Sequence, residues 1–364
     1  MNRENTGIKN LTRMIITLMT AVFLSGCSLV SGVSGSGGTG QSTSNDQRAT
    51  KEIFAMDTVM SVTCYGDDAQ QAVDDADKLI HELDELISTG LADSEISKVN
   101  AAGGGVLDER TKTMVETALD VYKTTGGAFD ITIYPLVKLW GFPERQLHVP
   151  SDEELSSTLA LVGSDKVGYD ADSGEIRLSE GQGIDLGGIA KGYTGDALVE
   201  MFRQQDIESA IVSLGGNVQA LGTKPDGSAW RCGIVDPHAP ENTENLMGVI
   251  EVENKAVITS GAYERYYTDG ATGKIYHHIL DPHTGYPAES GIISATVVSA
   301  HGTLADAMST ACYVMGLDKS LEYWREYGQD SFELILMTDD DVVHVTQGLE
   351  AAFTSTKYTV MVEK

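Results

Sequence analysis

The chain has 364 residues, 41% apolar and 22% charged, a composition that buries a core rather than staying disordered. Its 25 Lys and Arg stand against 54 Asp and Glu, a formal charge of −29, which argues against binding nucleic acid by general electrostatics. No run of about 20 apolar residues occurs, so a polytopic membrane protein is excluded, and Cys27, Cys64, Cys232 and Cys312 show neither zinc spacing nor a disulfide framework.

The first residues read as an address. Lys9 and Arg13 precede the apolar stretch MIITLMTAVFLSG and then Cys27, the layout of a signal peptide over residues 1–26. Leu24-Ser25-Gly26-Cys27 resembles the lipobox of bacterial lipoproteins, in which the cysteine is acylated and becomes the first residue. An ordinary secretory signal with a chance cysteine is the alternative. Residues 27–49 then form a lipidated cysteine and a Ser/Gly tether of about 25 Å reach, and one body spans 50–364. The lipobox implies a chain anchored at the extracytoplasmic face of a bacterial cell membrane. The other three cysteines are expected as buried free thiols.

Along the body, EIFAMDTVMSVTCYG (52–66) is extended. Ala69, Val73, Ala76, Ile80, Leu83 and Ile87 recur at spacings of three and four and predict an amphipathic helix over 68–87. A second helix is expected over 109–125, closed by Gly126 and Gly127. Helical patterns return near 152–162, 188–205, 303–315 and 318–327, and strand-like runs lie at 209–221, 230–236, 247–259, 274–280, 290–300 and 332–338. Successive strands with isolated helices give an α+β fold, a single compact body of mainly antiparallel sheet with packed helices. Regular βαβ alternation is missing, which argues against a doubly wound nucleotide fold.

Six segments carry chemistry. In TGGAFDITIYPLVKLWGF, small residues beside Phe129 let the backbone approach a planar ligand, with Asp130 able to accept from ring or ribose donors. The alternative is a helix cap followed by a strand with Phe129 in the core. In GQGIDLGGIAKGYTGDALVEMF, Ile189, Tyr193, Ala197, Met201 and Phe202 form a helical stripe entered through Gly187 and Gly188. Open N–H groups at such a start suit phosphate, and Lys191 in the first turn opposes the helix dipole unless an anion is present. A plain turn with a tolerated surface lysine is the alternative. In KIYHHILDPHTGYP, His277 and His278 face opposite sides of a strand, so only one can enter a site. Gly215, Gly216 and Asn217, and separately Ser260 and Gly261, mark loops that admit something close to the backbone.

The sixth segment, TLADAMSTACYVM, is apolar on nearly every side and should be buried. Asp306 and Thr310 interrupt it about 40° apart around the axis, with Ser309 nearby. An ionised carboxylate there is costly unless paired or metal-bound. It is either hydrogen-bonded to backbone or a distant arginine, or it holds a hard cation such as Mg²⁺.

The ordered strings AMDTVM, STGLADSEISKVN, GGAFDIT, IDLGGIAKGY, VSLGGNV, HHILDPHTG and LADAMSTA resemble the FAD:protein FMN transferase (ApbE) family across residues 52–350. The resemblance implies that FAD and Mg²⁺ bind together and that FMN passes to a threonine hydroxyl of an acceptor protein, with AMP released. It implies acceptors among flavin-carrying subunits of membrane redox complexes and related exported proteins. By the same resemblance FAD lies against Met56, Ala128, Phe129, Asp130, Asp185, Lys191 and the strand at Ile279 and Leu280. The metal falls to Asp306, Thr310 and a backbone carbonyl of Gly188 or Ala190, and His278 assists proton transfer, with a nearby carboxylate as the alternative acceptor. Two positions depart from the family pattern: Gly90 replaces an aromatic residue, and Asp57 stands where glycine is common. The Gly90 gap keeps open an FAD pyrophosphatase yielding free FMN and AMP; a non-catalytic flavin- or solute-binding lipoprotein is the remaining alternative.

Overall fold

A computed structural model of the protein describes residues 47–143, 146–242, 244–270 and 272–364. The signal peptide, Cys27 and the tether up to residue 46 lie outside the described residues.

The chain enters as a hairpin of β1 (Arg48–Ala55) and β2 (Thr58–Tyr65), two residues ahead of the expected start of the body. Helix α1 (Ala69–Ile87) buries Ala69, Ala72, Val73, Ala76, Ile80, Leu83 and Ile87, the stripe defined by its spacing. After α2 (Glu95–Ala102) and β3 (Gly104–Val106) comes α3 (Glu109–Thr124). It ends with Gly126 and Gly127 at φ 64° and 87° and the Gly127 amide on the Tyr122 carbonyl at 2.8 Å, a left-handed exit natural to glycine. No strand follows. Residues 131–133 make a 3-10 turn into α4 (Tyr134–Leu139), whose first turn holds Pro135, where a missing N–H is harmless.

Next are α5 (Asp152–Leu159), β4 (Gly168–Asp170), β5 (Glu175–Arg177) and α6 (Ala190–Gln204). Strands β6 (Ser209–Leu214), β7 (Asn217–Leu221), β8 (Trp230–Val235), β9 (Leu246–Val252) and β10 (Ala256–Gly261) run in succession. A small hairpin, β11 (Tyr266–Thr268) and β12 (Ile275–His277), precedes β13 (Ile292–Ser299), α7 (Gly302–Met315) and α8 (Leu317–Tyr323). The chain closes with β14 (Phe332–Thr338), β15 (Val342–Thr346), β16 (Phe353–Thr354) and β17 (Thr359–Glu363).

One nine-stranded sheet, ordered β1-β2-β6-β7-β10-β13-β14-β15-β17, organises the molecule. Its pairs are antiparallel except β15 with β17, so the α+β expectation holds. Alternation along the strands feeds two cores. Val297, Leu334 and Leu336 pack on α3 and α7, while Val298, Ile335 and Met337 pack on the small sheet β16-β9-β8 through Trp230, Cys232 and Ile250. Helices α1 and α6 cover β1, β2 and β6. Cys64, Cys232 and Cys312 are free and buried in β2, β8 and α7.

The register brings three connections to one end of this sheet. Met60 pairs with Leu214, and Val257 with Val218, so the β1–β2 turn, the β6–β7 turn and the exit from β10 emerge together. The start of α6 and the Thr310 turn of α7 meet them there, while α7 itself begins toward the other end of β10.

Candidate functional site

Helices α6 and α7 touch through glycine. A Cβ on Gly192 would run into the Gly302 carbonyl and stand 2.7 Å from Asp306 Cβ, an approach only glycine allows. Asp306 is 3% exposed. Its Oδ2 accepts the Gly192 amide at 2.8 Å and its Oδ1 the Asn217 side-chain amide at 2.9 Å. Asp196 on α6 does the converse for α7, whose flanking His301 makes no capping bond. It accepts the Gly302 amide at 2.7 Å, the Thr303 amide at 2.8 Å and the Thr303 hydroxyl at 2.7 Å. Each carboxylate satisfies orphan N–H groups at the positive end of the other helix.

The bond to Asp306 leaves an acceptor open. In a regular helix the Gly192 amide would donate four residues back, to Gly188; no backbone bond reaches the Gly188 carbonyl among the described residues. The Ala190 carbonyl, the other carbonyl considered, accepts the Thr194 hydroxyl at 2.8 Å. Gly188 also adjoins Phe129 and Thr310, since a Cβ there would lie 2.9 Å from the Phe129 ring and 3.7 Å from Thr310 Oγ1. Thr310 is half-buried, and the Ser260 hydroxyl lies 3.3 Å from it and 2.8 Å from that of Ser309.

Lys191, the second residue of α6, makes no ion pair or hydrogen bond among the described residues. Its charge acts on Asp185, Glu264 and His278. Asp185 accepts the Gly187 amide at 2.7 Å and a long contact from Thr89 at 3.5 Å, and its surroundings raise its pKa by desolvation.

Across from the helix starts lies a strained turn. Met56 and Asp57 have φ 49° and 62°, the two positive angles of a type I′ hairpin turn, which disfavours a long side chain such as Met. The Met56 amide donates to Asp84 at 3.0 Å. Asp57 faces Arg265 at 3.9 Å, tying the turn to the segment after β10.

Arg265 in turn holds His278. Its carbonyl accepts the His278 amide at 3.0 Å and Nδ1 at 3.1 Å. A carbonyl opposite Nδ1 demands the N–H there, leaving Nε2 with its lone pair. Desolvation first, then the positive charges of Arg265 and Lys191, push the His278 pKa down to about 3. Glu264 moves the other way, up to about 7, through desolvation with a smaller push from Asp306, against Lys191 and Arg265. Protein surrounds Glu264, Asp185 and His278, yet Glu264 is exposed and the other two are half-buried; water reaches them from a cleft.

His277 and His278 differ in burial as residues on opposite sides of a strand do. His277 is buried, bonds the Ala288 carbonyl at 3.1 Å and packs edge-on against Tyr313, while His278 enters the cleft. Asp130 needs correction as a group that accepts from a ligand. It is 5% exposed, and its carboxylate already takes the Thr132 amide and hydroxyl at 2.8 and 2.7 Å and the Ser164 amide and hydroxyl at 3.1 and 2.6 Å. It positions the turn after Phe129. Ala128, Phe129, Ile279 and Leu280 are buried at 4 to 6% exposure, and their side chains belong to the core. What remains for a ligand there is chiefly main chain. The approach to Gly187 is irregular rather than a strand.

Four participants escaped sequence reasoning: Asp196, Asn217 as a donor, Glu264 and Arg265. Asp196 caps a helix 106 residues away, which leaves no mark in local spacing. Glu264 and Arg265 had a weak signal, adjacent opposite charges separated from the strand-end glycine of ITSGAYERY by Ala262 and Tyr263. A concavity of about 580 Å³ lined by Asp67, Gln205, Glu208 and Lys224 lies at the far end of β2 and holds none of these groups.

Comparison with known proteins gives the family. The family model described as "ApbE family" matches residues 56–335. The FAD:protein FMN transferase of Treponema pallidum is 33% identical, over 70% of this chain and 74% of its own, and that of Vibrio cholerae is 33% identical over 75% and 81%. The crystal structure of the ApbE protein of Thermotoga maritima has 30% identity and a TM-score of 0.76, covering 83% of this chain and 98% of that one. The Vibrio cholerae flavin transferase ApbE superposes with a TM-score of 0.71 at 27% identity, over 85% and 96%. With the matched region spanning the helix starts, the strained turn and the His278 strand alike, the chain belongs to the ApbE family.

Proposed function

We propose that this chain is an FAD:protein FMN transferase that moves FMN from FAD to a threonine hydroxyl of an acceptor protein and releases AMP, with Mg²⁺ as its cation. The observation that carries the reading is Asp306. It is a buried carboxylate held by two neutral donors, with no Lys, Arg or His at ion-pair distance among the described residues. Such a charge is costly without a cation. The Thr310 hydroxyl and the open Gly188 carbonyl add hard oxygens, the donor set of an ion that shares its shell with phosphate. No cluster of three or more His, Cys, Asp or Glu suited to a metal occurs among the described residues. When bound, the ion supplies Lewis-acid polarisation of the diphosphate.

The chain's own residues do the rest. Lys191 and the amide-rich start of α6 favour the negative diphosphate. His278 Nε2 accepts the threonine proton as the hydroxyl oxygen bonds to the FMN phosphorus. The bond from that phosphorus to the bridging oxygen breaks, and AMP leaves with the electron pair. Met56, Asp185 and the main chain at Ala128, Phe129, Ile279 and Leu280 border the cofactor. Little covalent chemistry falls to the protein beyond alignment and proton transfer.

We further propose that Cys27 is lipidated and that the enzyme works tethered at the outer face of the cell membrane on exported redox proteins. Cys27→Ser should shift the protein from the membrane to the soluble fraction.

Incubation with FAD, Mg²⁺ and an acceptor protein tests the transfer. Covalent flavin fluorescence on the acceptor in a denaturing gel, with equivalent AMP, supports it. AMP and free FMN with a dark acceptor indicate a pyrophosphatase, the reading favoured by one feature: Gly90 is exposed, and a Cβ there would meet only Ser88 Oγ at 3.7 Å, leaving space for water. FAD bound without any AMP overturns both.

A further inference from the structure

We propose that the β11–β12 hairpin is the docking edge for the acceptor protein, an extended uncharged segment of which pairs along β11 and delivers its threonine to His278. The inference rests on the transferase reading and adds where the macromolecular substrate is held.

The edge is defined by register. β11 and β12 make a sheet of two strands, so the outer side of β11 has no partner strand among the described residues. The His278 amide donates to the Arg265 carbonyl at 3.0 Å and the Asp269 amide to the Lys274 carbonyl at 2.9 Å, which marks both pairs as hydrogen-bonded. Alternation then turns the N–H and C=O groups of Tyr266 and Thr268 away from β12. These are the groups through which a peptide joins a sheet by strand addition.

The surface suits such a guest. Tyr266 is 53% exposed and Ile275 56%, and the pairing of Thr268 with Ile275 puts both on one face of the hairpin. The opposite face is already used. Tyr267 stacks on Tyr276 with centroids 5.5 Å apart, and Tyr276 leans on Trp140 at 5.2 Å, so the hairpin is seated on its own core. In a chain of charge −29, an exposed aromatic and an aliphatic side chain beside the cleft make an uncharged landing place.

The edge also runs into the cleft. β11 starts at the residue after Arg265, whose carbonyl fixes the His278 ring. At about 3.3 Å per residue, a strand continuing past Tyr266 brings its next one or two residues level with His278. A hydroxyl carried there reaches the base without any change in the hairpin.

The test uses the full chain, FAD, Mg²⁺ and, as probe, the protein flavinylated by the Vibrio cholerae relative. Thr268→Pro removes an outward N–H that the hairpin does not use, and the pair Tyr266→Ser with Ile275→Ser removes the apolar face; if the proline variant fails to fold, the serine pair decides alone. Each should raise KM for the acceptor at least tenfold, with kcat and FAD affinity within twofold of the parent, and the Tyr266 and Thr268 amides of the parent should gain hydrogen-exchange protection on adding the acceptor. Acceptor KM within twofold of the parent, or an equal loss of FAD affinity, overturns the docking edge. A parent chain that labels no acceptor overturns the transferase reading itself.

Discussion

Asp196 and Asp306 exchange caps: each stands on one helix and takes the first amides of the other, at 2.7 and 2.8 Å for Asp196 and 2.8 Å for Asp306. The first turns of the two helices are therefore registered by carboxylates, and the start of α6 borders the proposed diphosphate site.

This separates two substitutions. Asp196→Ala removes a cap and should cost about 1–2 kcal/mol of stability, with Mg²⁺ dependence retained. Asp306→Ala strands the Gly192 amide and the Asn217 side chain, at about 1–3 kcal/mol, and should abolish Mg²⁺-dependent flavin transfer. Urea unfolding together with AMP release against Mg²⁺ concentration checks both; full activity in Asp306→Ala would remove it from the site.

His278→Ala should lower kcat about 10²- to 10⁴-fold and leave KM for FAD near the parent value. His278 is half-buried and its ring bonds the Arg265 carbonyl at the edge of the cleft, so loss of the fold is not expected from the change. Because the ring is held neutral by its lowered pKa, the parent's rate should show no histidine limb near pH 6.5. A limb there that disappears in His278→Ala would contradict the environment described.

Glu264 gives a pH signature in stability. Its carboxyl rises from 4.5 to about 7 in the folded chain, so the folded state binds the additional proton between those values. Stability from this group is present at low pH and falls as pH rises through that window. Glu264→Gln should flatten the decline in urea midpoint between about pH 4.5 and 7. An unchanged slope would mean that water in the cleft cancels the shift.

Gly90→Tyr should tighten FAD. Position 90 has ordinary backbone geometry and nearly free space around a Cβ, and an aromatic side chain stacking on a ring system contributes about 1–3 kcal/mol. Fluorescence titration should show Kd falling about tenfold, with the share of FAD hydrolysed to free FMN reduced. No change in either places the ring outside the cofactor's reach.

A residue that contradicts its neighbours is legible in the sequence. A carboxylate and a hydroxyl inside the apolar helix of α7 are conspicuous, so Asp306 and Thr310 could be named from spacing. The face of α6 was legible only in part. Its stripe of Ile189, Tyr193, Ala197, Met201 and Phe202 points to one side, but the buried side includes Gly192, Thr194, Gly195, Leu198 and Val199, because small residues without hydropathic weight are what allow α7 to approach. Asp130 was misjudged as a ligand acceptor although Asp-Ile-Thr is also a local capping pattern, which Thr132 and Ser164 complete. Asn217, Glu264 and Arg265 act through partners brought near by sheet register, and periodicity along one segment cannot report that.

The meeting of Gly192 with Gly302 has one more effect. Where two helices touch through side chains, every substitution at the contact resets their separation; here the ruler is the thickness of two peptide groups, which no side-chain mutation can shorten. The spacing of the helices beside the proposed diphosphate site is thereby calibrated by atoms common to all amino acids, and the rest of the core is free to drift around it.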